Sequence, residues 1–288
     1  MNKADQYMYR DIQNILYNGY TDINPRPRYE DGTPAHTKSV NHVLRTYDLT
    51  KGEFPICTLR PIAWKIGIKE IFTIYQKPTN VISEMEKMGV TWWGPWDIGD
   101  GTIGQRYGAT VKRYDLVNKL IEDIQNDPYG RRKVMSLWQE ADLSETPGLP
   151  PCAFCTIWNV RNNAVGREFL DMLLVQRSGD MLTASGAGCI NEVQYAALQM
   201  MVANHTGLVP GVFTHIVANE QIYDRHQNAA IEMMRRYDVL ERSTEPRVHN
   251  PWLELNHKKH NFYDITIDDF EMLDYEPMKP QLKLELGI

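Results

Sequence analysis

The chain has 288 residues, of which 42% are hydrophobic, and its formal net charge is −6. A chain of this length can bury a large core in one domain. The acidic balance argues against a general nucleic-acid binder, so an anionic ligand would have to be held by local clusters of arginine. No apolar run approaches the roughly 20 residues of a membrane-spanning helix. The N-terminus also lacks the apolar core of a signal peptide.

The four cysteines are too few for a disulfide scaffold. Cys152 and Cys155 form a CxxC pair, which could indicate a redox or metal site. No second pair of ligands with zinc-like spacing follows, and the residues between the two cysteines continue an apolar, strand-like run. We therefore expect no metal, reduced thiols and a cytoplasmic location.

Apolar residues at helical spacing predict helices in the first half of the chain, over 7–16, 62–75 and 115–124. Between them, residues 24–37 are rich in Pro, Arg, Asp and Gly and predict a loop. Residues 91–107 are aromatic and glycine-rich without a clear period, which is more typical of a shaped surface than of regular structure.

The second half of the chain mixes strands and helices. The predicted strands are 133–138, 153–160, 168–176 and 212–217, and 262–275 reads as a strand, a turn and a strand. The predicted helices are 191–205 and 221–237. We find no repeat or linker, so residues 1–288 are predicted to form a single α/β (α+β) domain with a mixed sheet packed with helices.

The segment Leu-Pro-Pro-Cys ends at Cys152, and the segment Gln-Arg-Ser-Gly-Asp follows at 176–180. A cysteine is a useful nucleophile only as a thiolate, and a nearby cation lowers the pKa of a thiol. If Cys152 and Arg177 lie side by side, the chain has an activated sulfur and an anchor for an anion. Arg131 and Arg132 between a helix and a strand, with Arg26 in the early loop, could complete a phosphate cage. Solvated surface charges are the simpler alternative for the adjacent pair.

Several segments together carry a resemblance to a known family. They are 31–37 (Asp-Gly-Thr-Pro-Ala-His-Thr), 126–132 (Asn-Asp-Pro with Arg-Arg), 149–152, 176–180, 222–226 (Ile-Tyr-Asp-Arg-His) and 262–270. In this order they resemble the thymidylate synthases nearly from end to end. The family also includes nucleotide hydroxymethylases, which share most of these motifs.

The resemblance implies that the Cys152 thiolate adds to C6 of a pyrimidine nucleotide, dUMP in the leading hypothesis, and so makes C5 a nucleophile. C5 then attacks the methylene group of 5,10-methylenetetrahydrofolate, the co-substrate. A synthase reduces the product by hydride from the folate, whereas a hydroxymethylase lets water add. The proton transfers need a buried carboxylate, and Glu70 matches the family's glutamate. An exposed helical charge is the alternative for this residue.

The resemblance assigns further residues to the site. The catalytic group comprises Cys152, Glu70, Tyr107 and the base-reading Asn191; the nucleotide ligands are Arg26, Arg131, Arg132, Arg177, Ser178, Gln221 and Tyr223; and Trp93, Leu149, Asp180 and the terminal Ile288 lie on the folate side. Tyr107 has the alternative of an ordinary core aromatic. Because the family's arginine pair reaches into the neighbouring subunit, Arg131 and Arg132 imply a homodimer, paired sheet to sheet.

Three departures from the family leave alternatives open. Gln221 replaces the family's histidine beside the sugar, so the choice between a ribose and a deoxyribose substrate stays open. Ala153 follows the nucleophile, at a position where histidine is common. The loop before Asn191 carries three extra residues. Counting back from Tyr195 puts Asn191 in the base-reading place, whereas counting forward from Asp180 puts Gly188 there.

The choice between these alignments bears on the substrate. Asparagine suits uracil, because its amide can accept from N3–H and donate to O4, whereas cytosine-specific relatives carry aspartate. Trp93, Leu149 and Ile288 favour a synthase, since hydride transfer needs the folate held and water excluded. The altered loop and Gln221 favour the alternative, a 5-hydroxymethylase acting on dUMP or on another pyrimidine nucleotide such as CMP or dCMP. A catalytically inactive binding protein is a third hypothesis, against which Cys152 and the arginines argue.

Overall fold

The computed structural model describes residues 2–243, 250–256, 258 and 260–288. A seven-stranded sheet dominates these residues. Its strands are Tyr20–Thr21 (β1), Thr37–Asp48 (β2), Lys133–Ser136 (β3), Ala153–Asn162 (β4), Glu168–Gln176 (β5), Gly179–Asp180 (β6) and Val209–Tyr223 (β7). Trp252–Leu255 (β8) and Phe270–Leu273 (β9) form a second, two-stranded sheet.

The large sheet is mixed, as predicted. Its strand order is β1-β2-β7-β5-β4-β3, and β6 pairs with the end of β7. The β5–β7 and β6–β7 pairs are parallel, whereas the β2–β7, β4–β5 and β3–β4 pairs are antiparallel. The α/β class predicted from the sequence is therefore confirmed.

Helices cover the inner face of the sheet. Those of the described residues are Lys3–Asn18 (α1), Trp64–Ile71 (α2), Ile82–Lys87 (α3), Gly108–Tyr114 (α4), Leu116–Asn126 (α5), Glu140–Glu145 (α6), Ile190–Thr206 (α7) and Gln227–Arg242 (α8). Helix α7 packs between α2 and the sheet. Its residues are buried continuously from Glu192 to Ala203, so polar side chains of α7 must find partners inside the protein. Within the described part of the chain, no helix is both long and apolar enough to cross a membrane.

The structure corrects two predicted elements. The predicted helix 221–237 begins too early, because Gln221–Tyr223 continue β7 and the helix proper is α8. Here β7 pairs with β2 on one side and with β6 on the other, and these long-range pairings override the local helical pattern. The first predicted strand of 262–275 is also wrong, because 3₁₀ turns at Phe262–Asp264 and Ile267–Asp269 precede β9.

The predicted helix 62–75 contains two types of helix. It is α-helical over Trp64–Ile71 and continues as a π-helical segment over Phe72–Gln76. Such π-helical segments inside helices are frequent at functional sites. Here the π-helical segment begins two residues after Glu70, the carboxylate singled out from the sequence.

Candidate active site

The sheet brings Cys152 and Arg177 together. Ala153, the first residue of β4, pairs with Gln176, the last residue of β5, so the residues just outside both strands meet at one edge. The Arg177 backbone N–H donates to the Cys152 carbonyl at 2.9 Å. Its guanidinium donates to the carbonyls of Pro150 and Pro151 at 2.8 and 3.0 Å, and Nη2 lies 3.5 Å from the Cys152 Sγ. One arginine thus holds the turn before the thiol and faces its sulfur.

Burial and the charge of Arg177 have opposite effects on the pKa of the Cys152 thiol. Burial raises the pKa of Cys152, while the positive charges of Arg177 and Arg26 oppose that rise. The net direction in the isolated chain is upward, so the expected lowering by a cation is present but smaller than the cost of burying a thiolate.

Tyr107 lies directly beside the nucleophile. Its hydroxyl oxygen accepts a hydrogen bond from the Cys152 backbone N–H at 3.2 Å, and its ring meets that of Trp93 edge-on, with centroids 5.0 Å apart. The backbone at Tyr107 has φ of 48°, an unusual value for a residue with a side chain. Such conformations cluster at functional sites. Tyr107 is therefore both a buried aromatic and a neighbour of the thiol.

Glu70 is a buried carboxylate on α2, only 7% exposed. Its Oε1 accepts from the indole N–H groups of Trp92 and Trp93 at 2.7 and 2.5 Å, and its Oε2 accepts from Gln194. Burial raises the pKa of Glu70, and these three hydrogen bonds oppose the rise. The alternative of an exposed helical charge does not apply. The sequence analysis missed Trp92 and Gln194, although a buried indole N–H needs an acceptor and two adjacent tryptophans could have signalled it.

Asn191 stands in the first turn of α7, with its side chain directed toward Gln176. Its Oδ1 accepts from Gln176 Nε2 at 3.2 Å, and its Nδ2 donates to Gln194 Oε1 at 3.0 Å. The other alignment candidate, Gly188, lies in the preceding loop, where its carbonyl accepts from the Cys57 N–H at 2.9 Å. Of the two candidates, the structure brings Asn191 beside the residue that precedes Arg177.

The candidate sugar and phosphate ligands gather at the ends of β5, β6 and β7. Ser178 lies between β5 and β6, and Gln221 pairs with Asp180 across β6 and β7. Tyr223 ends β7 and is buried against Tyr29, with ring centroids 6.3 Å apart. Arg26 is exposed, and its positive charge opposes the rise that burial causes in the pKa of both Cys152 and Tyr223.

The candidate folate residues border the same region. Trp93 lies between Glu70 and Tyr107, and Leu149 is partly buried against the core. Asp180 is engaged locally, since it accepts from the Leu182 N–H at 3.1 Å and from the Thr183 hydroxyl at 2.7 Å.

The chain end is anchored next to Tyr223. The backbones of Ile288 and Arg28 exchange two hydrogen bonds, of 2.7 and 2.9 Å. Gly287 lies so close to the Tyr223 ring that an added Cβ would come within 2.8 Å of it. Ile288 is therefore held beside Arg28, and Gly287 beside Tyr223, without any helix or strand of their own.

Arg131 and Arg132 stand apart from this cluster. Both are exposed, and they precede β3, which is an edge strand of the sheet. Among the described residues, no hydrogen bond or ion pair joins their side chains to Cys152 or Arg177. Within one chain they therefore do not complete the thiol site.

The fold and the cluster define a candidate thiol site for an anionic ligand, and comparisons with known proteins identify the family. The family model for thymidylate synthase matches residues 5–288. The chain is 50% identical to a thymidylate synthase of Lactococcus lactis subsp. cremoris and 46% identical to one of Streptococcus pneumoniae, each alignment covering 100% of both chains. The structure of a thermostable thymidylate synthase A from Bacillus subtilis matches with a TM-score of 0.86 and 31% identity over 99% of both chains. The chain therefore belongs to the thymidylate synthase family.

Proposed function

We propose that the protein acts as a thymidylate synthase, which methylates C5 of dUMP with 5,10-methylenetetrahydrofolate as the source of the carbon and the hydride. The observation that carries the proposal is the Cys152 sulfur held 3.5 Å from the Arg177 guanidinium. A thiol beside a fixed cation suits a nucleophile, and the chain that carries it is 50% identical to a thymidylate synthase. The relatives' names favour methylation over hydroxymethylation.

In the proposed reaction, the Cys152 thiolate forms a bond to C6 of the uracil ring, and the electron pair displaced from the C5–C6 bond makes C5 a nucleophile. C5 forms a bond to the methylene carbon of the folate, and loss of the C5 proton then expels tetrahydrofolate and leaves an exocyclic methylene group. Hydride from tetrahydrofolate reduces this group to methyl and gives dihydrofolate, and the Cys152–C6 bond breaks to release the product and the thiolate. Glu70 suits the proton transfers near the base, because burial raises the pKa of its carboxyl group. Tyr107, in hydrogen-bond contact with the Cys152 backbone, is the second group available near C5 and C6.

Asn191 is proposed to read the base. Its amide uses one N–H on Gln194 and one oxygen lone pair on Gln176, so one N–H and one lone pair stay available. These two groups match O4 and N3–H of uracil.

Around the base, Arg26, Arg177 and Ser178 are proposed to bind the phosphate, and Gln221 with Tyr223 the sugar. Glutamine both donates and accepts, so Gln221 can bond a sugar hydroxyl in place of the family's histidine. Trp93, Leu149, Asp180 and the Ile288 carboxylate are proposed to form the folate side. The anchoring of Ile288 on Arg28 supports the assignment of the chain end.

The homodimer is proposed to pair through the outer face of the sheet. Leu44 on β2 and Val134 on β3 are each 54% exposed, although both are apolar strand residues. Contiguous exposed apolar patches mark interaction sites, and we propose that these two side chains belong to one such patch. Arg131 and Arg132, at the edge next to β3, are proposed to cross into the partner's phosphate site. We further propose that residues 1–288 act as one domain in the cytoplasm, where the four free cysteines would stay reduced.

The reaction is tested by incubating the protein with methylenetetrahydrofolate and each of dUMP, UMP, dCMP and CMP, followed by mass spectrometry. We expect a methylated product and dihydrofolate with dUMP. Cys152→Ala should abolish the product, whereas Cys155→Ala, which removes a thiol three residues further along the chain in β4, should retain it. A hydroxymethylated product with tetrahydrofolate, or no product with any nucleotide, would contradict the proposal.

The dimer is tested by complementation. Cys152→Ala and a double Arg131→Ala, Arg132→Ala variant should each be inactive alone. Co-expressed in equal amounts, they should recover roughly a quarter of the wild-type activity, because half of the dimers are mixed and each mixed dimer has one complete site. A mixture as inactive as its parents, or a fully active monomer, would refute the crossing arginines.

A further inference from the structure

Two glutamines flank the Asn191 amide, one on each side. Gln176 donates to its Oδ1, and Gln194 accepts from its Nδ2. An amide can bind in two orientations that differ by a half-turn and exchange donor and acceptor. The other hydrogen-bond partners of Gln176 and Gln194 fix the orientation of these two side chains, and these in turn fix the orientation of the Asn191 amide.

Gln194 is oriented from the α2 side. Its Nε2 donates to the Gly67 carbonyl at 3.3 Å and to the Glu70 carboxylate. Both partners offer acceptors, so the amide nitrogen of Gln194 must face them and its oxygen must face Asn191. Because Gln194 is buried, water cannot replace either partner.

Gln176 is oriented from the opposite side. Its Nε2 donates to the Ser178 carbonyl at 3.0 Å, so its oxygen must point away, toward the His215 Nε2 at 3.1 Å. His215 is 0% exposed, and with a proton on Nε2 it donates to this oxygen. The other ring nitrogen, Nδ1, lies 3.0 Å from Glu192 Oε1.

Buried charges hold the imidazole in place. Arg45 lies 3.3 Å from Glu192 Oε1, and the Tyr47 hydroxyl donates to Oε2 at 2.7 Å. Burial lowers the pKa of His215, while the Glu192 carboxylate opposes that change. The ring therefore cannot turn without breaking contacts to a fixed carboxylate.

Both sides demand the same orientation of Asn191. Turning its amide over would set Nδ2 against the amino group of Gln176 and Oδ1 against the oxygen of Gln194. Two hydrogen bonds would be lost and two repulsive contacts formed.

We propose that Gln194 and His215 are positioning residues that lock the Asn191 amide in one orientation and thereby determine which pyrimidine base the site accepts. The inference rests on the proposed function, in which Asn191 reads the base. Uracil offers a donor at N3 and an acceptor at position 4, whereas cytosine offers an acceptor at N3 and a donor at position 4. An amide free to turn over would serve either base, so the lock is the source of discrimination.

The test is the ratio of dissociation constants for dCMP and dUMP, measured by calorimetry without folate. Gln194→Met and His215→Phe each remove one of the two groups that orient Asn191 and keep a side chain of similar volume. Each should bring the ratio of the two dissociation constants closer to one by roughly fivefold or more. This is the change expected when one oriented hydrogen bond is lost. His215→Gln can still donate to Gln176 and should restore much of the ratio.

The matched control is Gln199→Met. Gln199 is another buried glutamine of α7, but it donates to the carbonyls of Leu170 and Val212, away from Asn191. It should lower the melting temperature and leave the ratio at its wild-type value. Equal ratios in Gln194→Met, Gln199→Met and the wild type would overturn the lock, and Gln194→Met decides the matter even if His215→Phe does not fold. A wild-type preference for dCMP would instead contradict the proposed uracil specificity, while a movement toward unity in the variants would still support the lock.

Discussion

Replacing Arg177 by alanine should raise the pKa of Cys152 further. The substitution removes a positive charge 3.5 Å from the sulfur. Two unit charges 4 Å apart interact by about 1 kcal/mol in water and by about 4 kcal/mol at an effective dielectric constant of 20. Cys152 is neither fully exposed nor fully buried, so the effect should lie between these limits. At about 1.4 kcal/mol per pH unit, the thiolate midpoint should move up by about one to three pH units.

The measurement is the rate of iodoacetamide alkylation at Cys152 as a function of pH, read by peptide mass spectrometry. Cys155 provides an internal reference, because burial is what raises the pKa of its thiol. The pH dependence of Cys155 alkylation should be the same in Arg177→Ala as in the wild type, while that of Cys152 shifts to higher pH. Arg167→Ala, which removes an exposed arginine from the turn before β5, should move neither.

Arg177 also binds the carbonyls of Pro150 and Pro151, so its loss could loosen the turn as well as remove a charge. Arg177→Lys separates these effects, because lysine keeps the charge but lacks the planar fork. If the positive charge controls the pKa of Cys152, the alkylation rate in Arg177→Lys should depend on pH almost as it does in the wild type. The reasoning is refuted if the Cys152 profile in Arg177→Ala stays at the wild-type pH or moves together with that of Cys155.

Three further predictions concern other buried groups. Glu70→Gln removes the carboxyl group proposed for proton transfer and should lower turnover at least roughly 100-fold with little loss of dUMP binding; near-normal turnover would contradict this role. Gly188→Ala should cost more than about 2 kcal/mol in urea unfolding, since φ is +66° and the new Cβ would lie 2.2 Å from the Cys57 nitrogen. Gly166→Ala, at φ +78° with open space around it, should cost only about 1 kcal/mol, and equal losses would refute the steric argument. Burial raises the pKa of Glu220 from 4.5 to about 7. Its contribution to the unfolding free energy is therefore full below pH 4.5 and is lost as the pH rises through 7, so the difference between wild type and Glu220→Gln should shrink over that range. A difference independent of pH would contradict the raised pKa.

Local sequence determined much of the framework. The strand over residues 168–176 has the predicted bounds, because a nearly continuous apolar run favours a strand. Its burial alternates between buried and partly buried residues over most of its length, so one face packs more deeply than the other. The family motifs likewise singled out Cys152 and Arg177, and the β4–β5 register places them together. Short segments suffice for such features, since the signal lies in neighbouring residues.

Only the tertiary structure decided the environment of these residues. Gln221–Tyr223 belong to β7 because β2 and β6, distant in sequence, provide their hydrogen-bond partners. Asn191 rather than Gly188 meets Gln176, because α7 is packed between α2 and the sheet. The hydrogen bond between Glu70 and Gln194 and the contact between His215 and Gln176 each join residues more than 30 positions apart in the sequence. No local pattern encodes such contacts, because each depends on which buried donors and acceptors the completed core leaves facing one another.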